Sequence, residues 1–367
     1  MASEAPFDPC ASVEVAECMR DLIALGLDTR LHPADEMYRF ELAQPRRSPE
    51  TAAVFYFSTG RSMWRTISAV VSWRFGGFAN VRSVLDFAAG YGRMTRFLTR
   101  ALDPRAITAA EIEAGAVRFQ EETFGVRGCV SSPGPDGWTL TDSFDLVLAV
   151  SFFSHLPAGR FERWLGRLYE RVAPGGLLLF STHGAELYGG PDPIPPSGLL
   201  FRPESETARL EASEYGTSWV TEAFVRRAAA GVAGAAPLRA FPYGLCGFQD
   251  LYVLAKGPTA EEGPPLARDP LGVLEFGSVE RGVVQARGRA SGDRGERPPD
   301  VKLCFGDGPS GISPTRTEEG AGCLWSFEFP TTAVAPDRII RIEAESERGA
   351  RRLLVAETLR PYVGSGL

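Results

Sequence analysis

Lysine is nearly absent: Lys256 and Lys302 are the whole complement, and every other cationic side chain is arginine. With 39 basic against 46 acidic residues the net charge is -7, the wrong sign for a surface that follows a phosphate backbone, so nucleic acid is not an expected partner. Histidine is limited to His32, His155 and His183. The six cysteines form no C-x-x-C pair and have no histidine at zinc-finger spacing, which excludes a structural zinc and a disulfide framework from the expectations. No run approaches the ~18 apolar residues that a membrane span requires. The opening MASEAPFDPC has no basic segment followed by an apolar one, so a cytoplasmic protein with no membrane partner is expected.

What is present is the composition of a folded chain: 367 residues, 44% hydrophobic and 23% charged. That length exceeds what a single core usually fills and predicts more than one domain. Glycine and proline are abundant, at 40 and 28 residues, which predicts many turns. Residues 1–80 read as an N-terminal helical cap. From 81 to 256 short apolar runs (VRSVLDF, AITAAEI, FDLVLAV, GGLLLFST, DLYVLAK) alternate with amphipathic stretches such as AGAVRFQEETFG and GRFERWLGRLYERVA, the rhythm of an α/β fold with a doubly wound sheet. Residues 257–270 are rich in breakers and read as a linker. In 271–367 the alternation Val301, Leu303, Phe305, then Trp325, Phe327, Phe329, then Ile340, Ile342, Ala344 predicts a small all-β, sandwich-like domain.

The sharpest local signal is VLDFAAGYGRMTRFL. An apolar strand reaches Asp86, and Gly90 and Gly92 follow just before a helix, where glycine lets backbone approach a ligand closely. A dinucleotide fingerprint would need a third glycine, and Thr95 stands there instead, while an acid precedes the loop. About 20 residues on, Glu111 ends a second strand, the place where nucleoside-binding sheets put a carboxylate on the ribose hydroxyls. The strand FDLVLAV and the Pro-Gly-Gly turn of RVAPGGLLLF follow in order, and the loops after both strands should open at the ligand edge of the sheet.

On these four motifs residues 81–256 resemble a class I S-adenosylmethionine-dependent methyltransferase. The resemblance implies a seven-stranded Rossmann-like sheet ending in a reversed hairpin, S-adenosylmethionine as cofactor and S-adenosylhomocysteine as product. It implies that Asp86, Ala88, Gly90 and Gly92 cradle the cofactor, with Glu111 on the ribose and Ile112, Ser131 and Ser151 beside it. Members commonly carry an Asp after the third strand, whereas CVSSPG offers Ser131 and Ser132 here. In FYFSTGRS, Tyr56 and Arg61 are either contacts to the methionine carboxylate or a core aromatic and a surface arginine.

Methyl transfer from a sulfonium is an in-line displacement that needs alignment and water exclusion, so no metal is expected. An oxygen nucleophile benefits from a base, which points to His155 in FFSHL and His183 in FSTHG, each of which is otherwise a hydrogen-bonding turn residue. Glu214 and Tyr215, ahead of a helix that starts near Thr221, are either acceptor contacts or capping and packing groups. The expected activity is methyl transfer to an oxygen or nitrogen of a small molecule, sugar or glycan, or modified metabolite. The alternative is a catalytically inactive cofactor-binding scaffold that works through its C-terminal β domain. Homodimerisation, substrate presentation and docking to a partner enzyme are the open roles of that domain.

Overall fold

A computed structural model describes residues 5–204, 210–293, 296–306 and 308–359. Two compact units divide the chain: Arg65–Leu266 forms one, and Met1–Trp64 with Ala267–Leu367 forms the other.

The elements in chain order begin with helices α1 (Val13–Cys18), α2 (Arg20–Ala24), α3 (Glu36–Ala43) and α4 (Pro49–Phe75). Then come β1 (Val84–Phe87), α5 (Thr95–Leu98), β2 (Ile107–Glu111), α6 (Ala114–Phe124), β3 (Arg127–Val130) and β4 (Phe144–Ala149). They are followed by α7 (Ala158–Glu170), β5 (Val172–Gly184), β6 (Leu199–Arg202), β7 (Thr217–Val220), α8 (Glu222–Ala233), β8 (Leu238–Leu245) and β9 (Gln249–Ala255).

In the Arg65–Leu266 unit the sheet runs β3-β2-β1-β4-β5, all parallel, and continues through β9 and β8, each antiparallel to its neighbour. This is the seven-stranded sheet with a reversed terminal hairpin. Every residue of β1 and β4 is buried, as a parallel sheet covered on both faces requires. Helix α7 shows why: Phe161, Trp164, Leu165 and Leu168 recur at helical spacing and are buried. They pack with Phe87, Trp138, Phe153 and Phe180 in one core. Each such side chain contributes about 1.5–3 kcal/mol through burial, and Trp164→Ala would cost about 3–5 kcal/mol.

Two strands come in addition. β6 and β7 form an antiparallel hairpin, and β7 runs parallel to the end of β5, with His183 opposite Trp219 and Gly184 opposite Val220. The helix expected just after Gly92 is regular only over α5, while α6 and the Thr221-capped α8 lie where the pattern predicts them.

The described residues of the other unit form eight strands: β10 (Leu271–Glu280), β11 (Val283–Ser291), β12 (Asp300–Phe305), β13 (Gly308–Pro309), β14 (Thr315–Glu319), β15 (Gly322–Pro330), β16 (Ile340–Glu345) and β17 (Arg351–Glu357). They form two four-stranded antiparallel sheets, β10-β11-β15-β14 and β13-β12-β16-β17. Trp325, Phe327 and Phe329 of one sheet share a core with Val301, Leu303, Ile340, Ile342 and Ala344 of the other. The alternation read from the sequence is thus the inward face of two sheets. Helices α1 to α3 and α4 as far as Trp64 belong to this same unit: Cys18 Sγ lies 3.7 Å from the Gly306 carbonyl, Glu17 pairs with Arg338 at 3.0 Å, and Ser62 of α4 bonds to Asp269.

Among the described residues no helix is long and apolar enough to cross a membrane, and no group of three or more His, Cys, Asp or Glu could hold a metal ion.

Candidate active site

The carboxyl ends of β1 and β2 bring the glycine loop and Glu111 together. Glu111 Oε2 accepts the Gly90 N–H at 2.8 Å, and its Oε1 accepts the Ile112 N–H at 2.7 Å. Burial pushes the Glu111 carboxyl above its usual range, while these two backbone donors pull it back. Gly90 has φ +54, and a Cβ built there meets nothing within 4 Å, so the loop presents an open cradle at that point. Gly92 has φ +81 for a different reason, because a Cβ there would stand 2.5 Å from Phe124 and 3.0 Å from Gln120. Arg96, fully buried, holds the turn from inside by donating to the Gly92 carbonyl at 3.1 Å and the Tyr91 carbonyl at 3.4 Å.

Backbone strain marks the same edge of the sheet. Ala88, after β1, has φ +55, and Ser151, after β4, has φ +59. Non-glycine residues rarely sit in that region, and such strain concentrates at functional sites. Ser151 is braced by its N–H to Ser181 Oγ at 2.8 Å and by its hydroxyl to Gln249 Oε1 at 3.1 Å, while Ser181 also donates to Gln249 at 2.7 Å. Ser131 follows β3 and its N–H bonds to the Glu111 carbonyl at 2.8 Å, which puts it next to Glu111 and Ile112.

Asp86 is 2% exposed on β1. Burial, with Glu111 adding to it and a Thr95 hydrogen bond opposing it, pushes its carboxyl up to about 7. Thr95 was legible only as the residue in place of a third glycine, and Gln120 carried no sequence signal at all. In the structure both contact the loop: Thr95 Oγ1 reaches Asp86 and Gln120, and Gln120 Nε2 donates to the Gly90 carbonyl at 2.8 Å.

A second cluster forms at the ends of β4, β5 and β7. His183 lies within β5, not in a loop after it, because pairing with β7 carries the strand through Gly184. Its ring centroid is 6.3 Å from that of His155 and 6.2 Å from the Trp219 ring. Burial, with His155 nearby, pushes His183 down to about 4, against a hydrogen bond to the Ser218 backbone. His183 Nδ1 is buried with no hydrogen-bond partner among the described residues. His155 stacks on Tyr215 at 4.9 Å, and its Nδ1 lies 2.8 Å from the Gly216 carbonyl. A carbonyl only accepts, so Nδ1 carries the hydrogen and, in the neutral ring, Nε2 carries the lone pair. Tyr188 packs on Trp219 at 4.8 Å. Glu214 is held by Arg160, so of that pair Tyr215 alone faces the histidines.

Tyr56 and Arg61 belong to the unit that holds the N-terminal helices. Tyr56 is fully buried and its hydroxyl donates to Asp35 Oδ2 at 2.8 Å, while Arg61 pairs with Asp21.

With this geometry in place, the comparison with known families is decisive for one segment. Residues 85–178 match the family model described as methyltransferase domain. The match runs from β1 into β5 and spans the Asp86 loop, Glu111, the FDLVL strand and the Pro-Gly-Gly turn, so all four motifs of the resemblance fall inside this methyltransferase-like segment, and S-adenosylmethionine is the cofactor that goes with it. No curated protein sequence matches the chain. Solved structures similar to it include DhpI in complex with SAH, at 18% identity, covering 61% of this chain and 96% of that one, with a TM-score of 0.38. The plantazolicin methyltransferase BamL, in complex with a triazolic desmethylPZN analog and SAH, is 10% identical over 65% of this chain and 99% of its own, with a TM-score of 0.40. An S-adenosylmethionine-dependent methyltransferase from Clostridium acetobutylicum is 11% identical over 54% and 92%, with a TM-score of 0.38.

Proposed function

We propose that the chain transfers a methyl group from S-adenosylmethionine to an oxygen or nitrogen of a small-molecule, sugar or modified-metabolite acceptor. The observation that carries this reading is the convergence of the open Gly90 cradle and the Glu111 carboxylate at the carboxyl ends of β1 and β2, inside the segment that matches a methyltransferase domain. The residues present suit the cofactor. Glu111 would accept from the ribose hydroxyls, Ile112 and Ser131 would flank the adenine, and Ala88, Gly90, Gly92 and Ser151 would admit the rest without side-chain bulk. When bound, S-adenosylmethionine supplies an electrophilic methyl on a sulfonium.

The chain's own contribution is to line up the acceptor and to receive its proton. His183, with its low basicity, stays neutral near neutral pH and offers Nδ1 to accept a hydrogen bond from an acceptor hydroxyl or amine. His155 is the better base of the two, because its Nδ1–H donates to Gly216 and sets the basic nitrogen at Nε2. The Tyr215, Trp219 and Tyr188 rings around them supply planar apolar faces that exclude water. Exposed Leu271, Val273 and Phe276 of β10 and Leu324 of β15 support a homodimer contact on that sheet, and a monomer by light scattering removes that part of the proposal.

Calorimetric titration with S-adenosylmethionine, S-adenosylhomocysteine and NAD tests the reading. Binding of both sulfur compounds, none of NAD, and loss in Glu111→Ala are the expected results. Absence of binding to either sulfur compound overturns it.

A further inference from the structure

Hydrogen-bond stoichiometry inside the glycine loop does not close with Asp86 ionised. Thr95 Oγ1 lies 2.6 Å from Gln120 Oε1 and 2.8 Å from Asp86 Oδ2. A hydroxyl has one proton and cannot donate to both oxygens. Turning the Gln120 amide does not resolve the conflict, because its Nε2 is 2.8 Å from the Gly90 carbonyl, which only accepts. The amide nitrogen must therefore face Gly90 and Oε1 must face Thr95. The shorter contact then takes the Thr95 proton, and the Asp86 contact needs a proton from Asp86 itself.

The groups around Asp86 lead to the same assignment. On β2, Glu111 accepts two backbone N–H groups, which favours its ionised form. Burial raises the proton affinity of Asp86, and a second carboxylate on the adjacent strand adds to it. On the other side β4 places Leu148 opposite Asp86, α6 contributes Gln120, and Arg96 of α5 donates to the carbonyls of Gly92 and Tyr91.

From this geometry we propose that the free protein holds Asp86 as the neutral acid through a relay, Asp86 O–H to Thr95 Oγ1, Thr95 O–H to Gln120 Oε1, and Gln120 N–H to the Gly90 carbonyl, and that a cationic ligand entering over the loop drives the Asp86 proton into solvent. Thr95 and Gln120 are then positioning residues that set the charge of the cofactor loop. The second half rests on the loop being an S-adenosylmethionine site; the first half does not. S-adenosylmethionine binding should strengthen as pH rises through the Asp86 midpoint and release close to one proton there. S-adenosylhomocysteine, which lacks the sulfonium charge, should show a weaker dependence.

The first measurement uses the protein alone. Carboxyl-13C aspartate labelling follows Asp86 by NMR across pH, with Asp86→Asn assigning the signal. The expected result is a midpoint near neutrality, and an Asp86 that is ionised well into the acid range overturns the proposal. The relay is tested by the sign of two shifts. Gln120→Leu frees the Thr95 proton for the Asp86 carboxylate, and Thr95→Val removes the acceptor that holds the Asp86 O–H, so each should lower the midpoint by roughly one pH unit, whereas a Thr95 that donated to an ionised Asp86 would make Thr95→Val raise it. Thr95→Ser should restore the wild-type value. A rise in Thr95→Val, or no shift in either variant, overturns the relay, and if Gln120→Leu does not fold, the Thr95→Val and Thr95→Ser pair decides alone. Calorimetry of S-adenosylmethionine binding in two buffers of different ionisation enthalpy then counts the proton. Release in wild type and none in Asp86→Asn is expected, and equal counts overturn the second half. A neutral Asp86 in a protein that binds no S-adenosylmethionine would sink the cofactor reading and leave the relay standing.

Discussion

The loop after β1 and the rim beyond β4, β5 and β7 stand at the same edge of one sheet and are built to opposite specifications. In the loop, side chains are tied to backbone: Glu111 to Gly90 and Ile112, Gln120 to Gly90, Arg96 to Gly92 and Tyr91. At the rim, the buried His183 Nδ1 has no hydrogen-bond partner among the described residues, and aromatic rings pack around the two histidines. A site for an invariant molecule gains from being preorganised, because ordering costs are met on folding. A site for the variable partner of a reaction gains from leaving one polar group unspent. Substitutions in the two places should therefore separate binding from turnover.

The largest effect is expected at the rim. His155→Ala should lower turnover by about 10²–10⁴-fold, the usual range for loss of a positioned base, with cofactor affinity unchanged. His183→Ala should lower turnover less, because its proposed part is to orient the acceptor and not to take its proton. Steady-state rates beside calorimetric affinities check both, and full activity in either variant removes that histidine from the reaction. The loop should give the converse. Gly92→Val places a branched side chain at φ +81 against Phe124 and Gln120 and should cost about 3 kcal/mol of stability, read by urea unfolding. Gly90→Ala, facing open space, should cost about 1 kcal/mol while weakening cofactor binding. If the two glycine variants unfold alike, Gly90 is not a cradle. Next in size, Glu111→Ala should weaken S-adenosylmethionine binding by about 10–100-fold, the equivalent of losing charged hydrogen bonds. Unchanged affinity would mean that the carboxylate only braces Gly90.

The same contrast explains what the sequence made legible. Asp86, Gly90, Gly92 and Glu111 could be read because strand ends, glycines and acids leave marks at fixed spacing, and the parallel order followed from largely apolar strands such as FDLVLA. The hairpin of β6 and β7 could not be read, since LLFR and TSWV are four residues each and alternate no better than a loop. Nor could the roles of Gln120 and Thr95. A glutamine within one helix and a threonine at the start of another are ordinary residues until the fold puts them within 2.6 Å of one another. The strain at Ala88 and Ser151 is likewise invisible in advance, because neither residue type favours a positive φ.

The subtlest difference between the two places is in how each responds to acid. Asp86 rises from 3.8 to about 7 on folding, so the stability it adds is present below 3.8 and is lost as pH rises through 7. His183 falls from 6.5 to about 4, so its contribution is present above 6.5 and is lost as pH falls through 4. Between about pH 4.5 and 6.5 the folded chain holds one proton more at Asp86 and one fewer at His183 than the unfolded chain. Slopes of about 1.4 kcal/mol per pH unit then oppose each other and largely cancel. Asp86→Asn keeps a donor for Thr95 and removes the first slope, so relative to wild type its stability should climb with pH across this window. His183→Gln removes the second and should decline with pH, while the double variant should run parallel to wild type. Urea unfolding of the four proteins at several pH values reads these differences directly, since every other titrating group is common to all four. Two single variants that both track the wild-type curve would mean that neither group is perturbed, and the contrast between loop and rim would then rest on hydrogen bonding alone.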